Sequence, residues 1–496
     1  MDNLTSLPAL PLLLWDTPPG LEQVLAQEGI AYFKVRDSNP LAFRAGRFVL
    51  YDGRRVSPAA RRATLSPEHV AVDVQRLHED TRFDPFEALT RVRSHRASWN
   101  VSGRTLTEHV ARYDRGTIRR KLVHRLRLAI QHEGGLWARL APYPYPYRSA
   151  FNFRVDLDEP APDDYRRFAR ARRRVEDCCT HFVSTRAYGD QRAVLDDLRR
   201  FDTQSHGHHH VIYRDPAANR RNLERAHDVL VQAGFTPGGF AAPHGRWNAG
   251  LDAALEDLGY QYSSDFQLAH DDFPFSPWRS DERRFSRVLQ VPIHPVCEGL
   301  FLDTGPTPGR VIAEYLAAVV RSKVAAGETA FVYGHPERRL ARFPEILSTL
   351  DATVAGNPLV WRVTLTAFAA WWRWRAERRW SVVPRPEGRF EVQFDDWDPR
   401  YPLGLEIQRG AHISTIPIQG PRTLLRLEDL VYERRDVRID LPSPRPAPWT
   451  PSLKAAVRSV LDWETVTPLE ELPGNTWTAR VKKGLRHWRS AKSREV

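Results

Sequence analysis

The sequence predicts an α/β protein with a barrel-like central segment at 148–380, a smaller α/β domain before it and a β-rich accessory domain after it. Three observations carry this. From 148 to 378 short β-rich runs alternate with helical patterns, the rhythm of a parallel α/β array. The run Ala141-Pro-Tyr-Pro-Tyr-Pro-Tyr147 cannot continue a helix and reads as an extended connector. Beyond Pro384-Arg-Pro386 the texture changes to the alternation of half-exposed antiparallel strands. The expected boundaries are 1–147, 148–380, 385–450 and a helical basic tail at 451–496.

The elements follow in order. Leu12–Trp15 is a strand candidate, and Pro18 and Pro19 open a short helix carrying Leu21, Val24 and Leu25 that Gly29 ends. Ile30–Val35 and Arg47–Tyr51 look like further strands, and no Gly-rich phosphate loop follows the first one. A basic helical stretch, Thr117–His132, leads into the connector. Strand candidates in the central segment are Phe151–Asp158, Thr180–Ser184, Phe201–Ser205, Gly239–Ala242, Tyr260–Phe266, Val288–Ile293 and Thr329–Tyr333. Helices are expected between them at 189–200, 216–233, 248–258, 308–326 and 343–353, and a Trp-rich helix at 366–380 closes the array. Its Trp371, Trp372, Trp374 and Trp380 could stack on sugars, but Trp at helical spacing reads more simply as packing.

Length and composition exclude several classes. A chain of 496 residues implies two to four domains, and 42% hydrophobic with 27% charged residues is a globular profile. No apolar run approaches the ~18 residues a membrane helix needs. The apolar stretch Leu7–Trp15 follows Asp2 instead of a basic region and holds two prolines, so no signal peptide and a cytoplasmic location are expected. The formal net charge is +12, yet only seven of the 73 basic residues are Lys and the Arg excess is spread along the chain, so no nucleic-acid partner is expected. Charge concentrates only in the tail. There Trp477, Val481, Leu485 and Trp488 lie at helical spacing among Arg480, Lys482, Lys483, Arg486 and Arg489. Such a helix would either lie on an anionic membrane surface or dock on its own protein. Three cysteines, Cys178, Cys179 and Cys297, suit free thiols in a reducing compartment, with the adjacent pair beginning a buried strand.

The chemistry begins at Phe151-Asn-Phe-Arg-Val-Asp-Leu-Asp158. A strand here puts Phe151, Phe153, Val155 and Leu157 on one face and Asn152, Arg154, Asp156 and Asp158 on the other. Two carboxylates on one strand face repel and need a cation or a shared proton. Farther on, Ser205-His206-Gly-His-His-His210 places His206 and His210 four apart, and in a helical turn both imidazoles would face one side, as a divalent metal requires. Two His and one carboxylate with an open position is a layout for catalytic zinc, and Asp158 is the natural third ligand. Asp265 and His294, at further strand ends, are candidates for tuning a catalytic His and for touching substrate.

Residues 150–340 resemble polysaccharide deacetylases of the NodB-homology type, carbohydrate esterase family 4. The motifs stand in the family's order: Val155-Asp156-Leu-Asp158, Ser205-His206-Gly-His-His-His210, Phe240-Ala-Ala-Pro243-His244-Gly245 and Phe331-Val-Tyr-Gly-His335. The resemblance implies a distorted (β/α) barrel. It implies that Asp158, His206 and His210 bind a divalent metal, most simply Zn2+, with Co2+ or Mn2+ also suitable. It makes Asp156 the general base, gives an oxyanion donor at the His244 backbone N–H, and makes His335 the acid that protonates a leaving amine. The implied substrate is an N-acetylated saccharide, in a polysaccharide or a lipid- or nucleotide-linked precursor.

Four positions depart from the family pattern. Ala241 stands where an Arg usually pairs with the catalytic Asp, and Arg154, on the same strand face as Asp156, is expected to take over that pairing. His244 replaces a Tyr, Tyr333 replaces a Leu at the acetyl pocket, and Pro336 replaces an Asp. Two other readings therefore stay open: hydrolysis of another C–N bond, such as a cyclic imide or ureide, and a degenerate member that binds saccharide without turnover.

Overall fold

The computed structural model describes residues 9–35, 40–78, 83–435 and 444–447. The basic tail lies outside the described residues. Among those described, no helix is long and apolar enough to cross a membrane.

The N-terminal segment is the expected parallel unit, with strand order Tyr32–Val35, Leu12–Trp15, Phe48–Tyr51, Val70–Asp73. Its helix, Pro19–Glu28, ends where Gly29 turns left-handed at φ 67°. A hairpin that the sequence reading lacked follows, Ser94–Val101 with Arg104–Ala111, turned by Ser102 and Gly103, both at positive φ. The helix Arg115–His132 then leads to a short strand, Ala138–Leu140, and the Pro/Tyr connector.

The central segment is a curled parallel sheet. Its strands are β1 (Ser149–Leu157), β2 (Cys179–Val183), β3 (Asp202–Ser205), β4 (Gly239–Phe240), β5 (Tyr262–Ser263), β6 (Leu289–Gln290) and β7 (Thr329–Gly334). They pair in the order β6-β5-β4-β3-β2-β1-β7, and a further strand, β8 (Val360–Arg362), pairs with the first residues of β1. Beyond β6, the His294 N–H donates to the Phe331 carbonyl of β7 at 2.9 Å, which brings the two ends of the array together. The fold is thus the barrel-like α/β class expected.

Every residue of β1 is buried. Phe151, Phe153, Val155 and Leu157 join the main apolar cluster with the surrounding helices, while Asn152, Arg154 and Asp156 face polar partners inside the barrel. Trp371, Trp372 and Trp374 are buried on the helix Leu365–Ala376, and Trp380 is buried at the start of the next strand. All four pack in the cores and none is placed to stack on sugar.

The β-rich segment placed at 385–450 does form strands, but it shares its core with the N-terminal segment. Leu403–Arg409 pairs with Ala138–Leu140, Leu10 bridges Val382, and one apolar cluster holds Leu12, Val24, Trp371, Trp374, Val392 and Leu405 together. Buried ions reinforce the join. Arg139 links Glu28 to Glu406, which also takes Arg435 at 2.8 Å, while Arg119 ties Glu28 to the central segment through Asp272 at 2.7 Å and Glu328 at 2.9 Å. Burial opposes the charge on Glu406, but Arg139 and Arg435 hold its carboxyl at about 2 against a usual 4.5. Its stabilisation is therefore full above pH 4.5 and lost as pH falls toward 2. Glu406→Gln is expected to cost about 3 kcal/mol near neutral pH and to flatten the acid limb of stability, measured by denaturant titration across pH.

Candidate metal and acid–base site

The site lies where β1, β3, β4 and β7 end. Asp158 follows β1, His206 follows β3, the Pro243 turn follows β4, and His335 follows β7. Asp158, His206 and His210 present ligand atoms all within 4.8 Å of one another. His206 Nε2 is 3.1 Å and His210 Nε2 3.2 Å from Asp158 Oδ1.

The convergence is not produced by a helical turn, as the spacing suggested. Residues 206–213 form an irregular bend, in which Gly207 takes φ 82° and a side chain would be strained. Asn222 clamps the bend by accepting from the His209 N–H at 2.7 Å and donating to the His209 carbonyl at 3.2 Å.

The donor set fits a divalent ion. His206 Nδ1 lies 2.7 Å from the Ala241 carbonyl, which can only accept, so Nδ1 carries a proton and Nε2 is the nitrogen turned to Asp158. Asp158 Oδ1 is buried without a hydrogen-bond donor among the described residues, as an oxygen meant for a cation would be. Burial works against its charge, but His210 and His335 outweigh burial and hold the carboxyl well below the usual range. Two imidazoles and one carboxylate suit Zn2+ and other first-row divalent ions.

Arg154 pairs with Asp156 as expected. Its Nε is 2.7 Å from Oδ1 and a terminal nitrogen is 2.5 Å from Oδ2, a two-pronged grip at 1% and 3% exposure. The same guanidinium crosses the barrel to donate to the Ser264 carbonyl at 2.7 Å. Burial alone would raise the Asp156 carboxyl, and Arg154 and His206 outweigh it, keeping it below its ordinary value. Tyr333 is buried with Arg154 5.3 Å from its ring centre, and its hydroxyl donates to the Pro295 carbonyl at 3.3 Å.

His335 has a partner that no motif revealed. Its Nδ1 and its backbone N–H both lie 2.8 Å from Glu298 Oε1, and its Nε2 is 3.6 Å from Asp158 Oδ2. Glu298 is wholly buried at the start of the helix Glu298–Asp303. Room for it comes from Gly334, where a Cβ would lie 2.6 Å from its Oε2. Burial alone would lower the His335 imidazole, but Glu298 and Asp158 raise it well above its ordinary value.

The remaining candidates sort clearly. His244 holds φ 56° in the Pro243–Gly245 turn and sets its ring edge-on to His210 with centroids 4.9 Å apart. Asp265 does not tune a histidine: it accepts from the Ala242 N–H at 2.9 Å and from Ser263, supporting the turn from below. His294 does not face the site. Its Nδ1 meets Asp271 at 3.0 Å and its Nε2 meets Tyr315 at 2.9 Å, against the helix Gly309–Ala326. Cys178, Cys179 and Cys297 are free and buried.

Neither a family model nor a curated protein matches the sequence. Solved structures do resemble about half of the chain. A protein assigned as a polysaccharide deacetylase from Mycobacterium smegmatis is 19% identical at a TM-score of 0.41, over 50% of this chain and 98% of its own. The family 4 carbohydrate esterase from Streptomyces lividans, in complex with acetate, is 14% identical at 0.31, over 44% and 92%. A family 4 pseudoenzyme from Bacillus anthracis is 11% identical at 0.32, over 46% and 66%. Identities and scores this low leave the roles to be read from the side chains themselves.

Proposed function

We propose that the protein is a metal-dependent amide hydrolase that removes an N-acetyl group from an amino sugar of a polysaccharide or glycolipid precursor. The observation that carries this is the meeting of Asp158, His206 and His210 at one barrel mouth with a carboxylate gripped by Arg154 and an imidazole charged by Glu298.

Asp158, His206 and His210 would hold the ion, Zn2+ foremost. When bound, such an ion supplies Lewis acidity, polarising a carbonyl and acidifying water. Asp156, kept ionised by Arg154, takes a proton from the attacking water. The backbone N–H of His244 supports the developing oxyanion. His335, held protonated beside Glu298, gives its proton to the departing amine. One carboxylate accepts and one imidazolium donates, so the proton ledger of amide cleavage closes within the site.

Acetate release from an oligomer of N-acetylglucosamine tests the reading. The zinc-loaded chain is expected to release acetate, a chelator to stop it, and Zn2+ or Co2+ to restore it. A loaded chain that binds the oligomer and releases nothing favours the non-catalytic reading, for which the buried Tyr333 beside Arg154 is the structural support.

Glu298→Gln removes the charge that holds the His335 proton. Turnover is expected to fall about 10–100-fold. Because the His335 pKa drops, the basic limb of the pH–rate profile moves to lower pH.

A further inference from the structure

The hairpin Ser94–Val101/Arg104–Ala111 belongs to the N-terminal segment, yet it packs on the central segment beside Phe266 and the helix Glu298–Asp303. Its register sets Ala97 opposite Glu108 and Trp99 opposite Leu106, so these four side chains share one face. Ala97, Trp99, Leu106 and Val110 pack in the same apolar cluster as Phe266, Cys297 and Tyr333 of the barrel. Polar contacts fix the seating. The Ala111 N–H donates to the Phe266 carbonyl at 3.0 Å, and Arg104 donates to Thr304 Oγ1 at 3.2 Å and the Pro306 carbonyl at 2.7 Å. Thr304 and Pro306 follow the short helix that carries Glu298.

One residue of this packed face is out of place on packing grounds. Glu108 sits between Leu106 and Val110, where an apolar side chain would serve the core better. It accepts from the His109 N–H at 2.6 Å and lies in electrostatic reach of His335, Asp303 and Arg96. Burial pushes its carboxyl up to about 7, with the His109 N–H pulling the other way. A carboxylate offers about four acceptor positions, so one backbone donor leaves capacity for a ligand.

Resting on the deacetylase reading, we propose that Glu108 contacts the substrate. It accepts hydrogen bonds from hydroxyl or amino groups of the sugar whose N-acetyl group enters the site, and the hairpin is one wall of the cleft. The N-terminal segment thereby becomes part of the specificity machinery.

Binding of a β-1,4-linked N-acetylglucosamine trimer to the zinc-loaded full chain tests this, measured by calorimetry with D156N as the background so that turnover does not interfere. Adding E108A is expected to weaken the trimer about tenfold, and E108Q, which keeps one acceptor oxygen, less. The thermal midpoint is expected to stay within a few degrees. No trimer binding to the D156N chain, or equal affinity with and without E108A, overturns the proposal. Equal weakening by E108A and E108Q together with a fallen thermal midpoint also overturns it, because that marks a packing role. Failure of the deacetylase reading looks different: Glu108-dependent trimer binding persists, while the unsubstituted chain releases no acetate.

Discussion

Asp156→Asn is expected to lower acetate release about a thousandfold, in the range general-base catalysis supplies, while the protein still binds one metal ion per chain. The two effects separate because Asp156 is not among the three residues whose ligand atoms converge. Asn keeps the shape and one acceptor oxygen for Arg154, so the barrel interior stays filled. What it loses is the capacity to take a proton. An Asp156→Asn chain with near-native turnover would remove Asp156 from the mechanism, and one that lost its metal as well would place it among the ligands.

The second large effect concerns stability. Arg154→Ala leaves the Asp156 carboxylate buried with its guanidinium partner gone, a change expected to cost about 3–5 kcal/mol in denaturant titration. Arg154→Lys restores a charge but not the two-pronged geometry and should recover only part. The pH dependence carries a sign. With Arg154 present the carboxyl is depressed, so its stabilisation is full above the unfolded value and lost only as pH falls through the folded one. Removing Arg154 lifts that folded value, and the acid limb of the pH–rate profile of Arg154→Ala should move to higher pH. An unmoved limb would mean that Arg154 supports the fold without poising the base.

Strand β1 was legible because its period-2 pattern is strict: once it is a strand, Arg154, Asp156 and Asp158 must share a face. The Arg154 pairing could be anticipated from that face together with the missing Arg at Ala241. His206 and His210 were legible as a pair but not in their geometry, since a spacing of four fits a helix and a bend equally, and only the backbone shows Gly207 turning left-handed. Glu298 was invisible for a different reason. It lies 37 residues before His335 and carries no periodic signal, and its burial depends on Gly334, whose lack of a side chain reads in sequence as an ordinary strand end. The joining of N- and C-terminal segments was hidden likewise. The pairing of Ala138–Leu140 with Leu403–Arg409, and the ions that Arg139 and Arg435 bring to Glu406, are non-local contacts that leave no local pattern.

The three converging ligands carry the proposed chemistry. Metal analysis of the purified full chain beside His206→Ala tests it. The expected result is one divalent ion per native chain and a loss of at least tenfold in metal affinity for the variant, with the fold retained by circular dichroism. A native chain that takes up no divalent ion, or a His206→Ala chain that holds it equally well, would contradict the account.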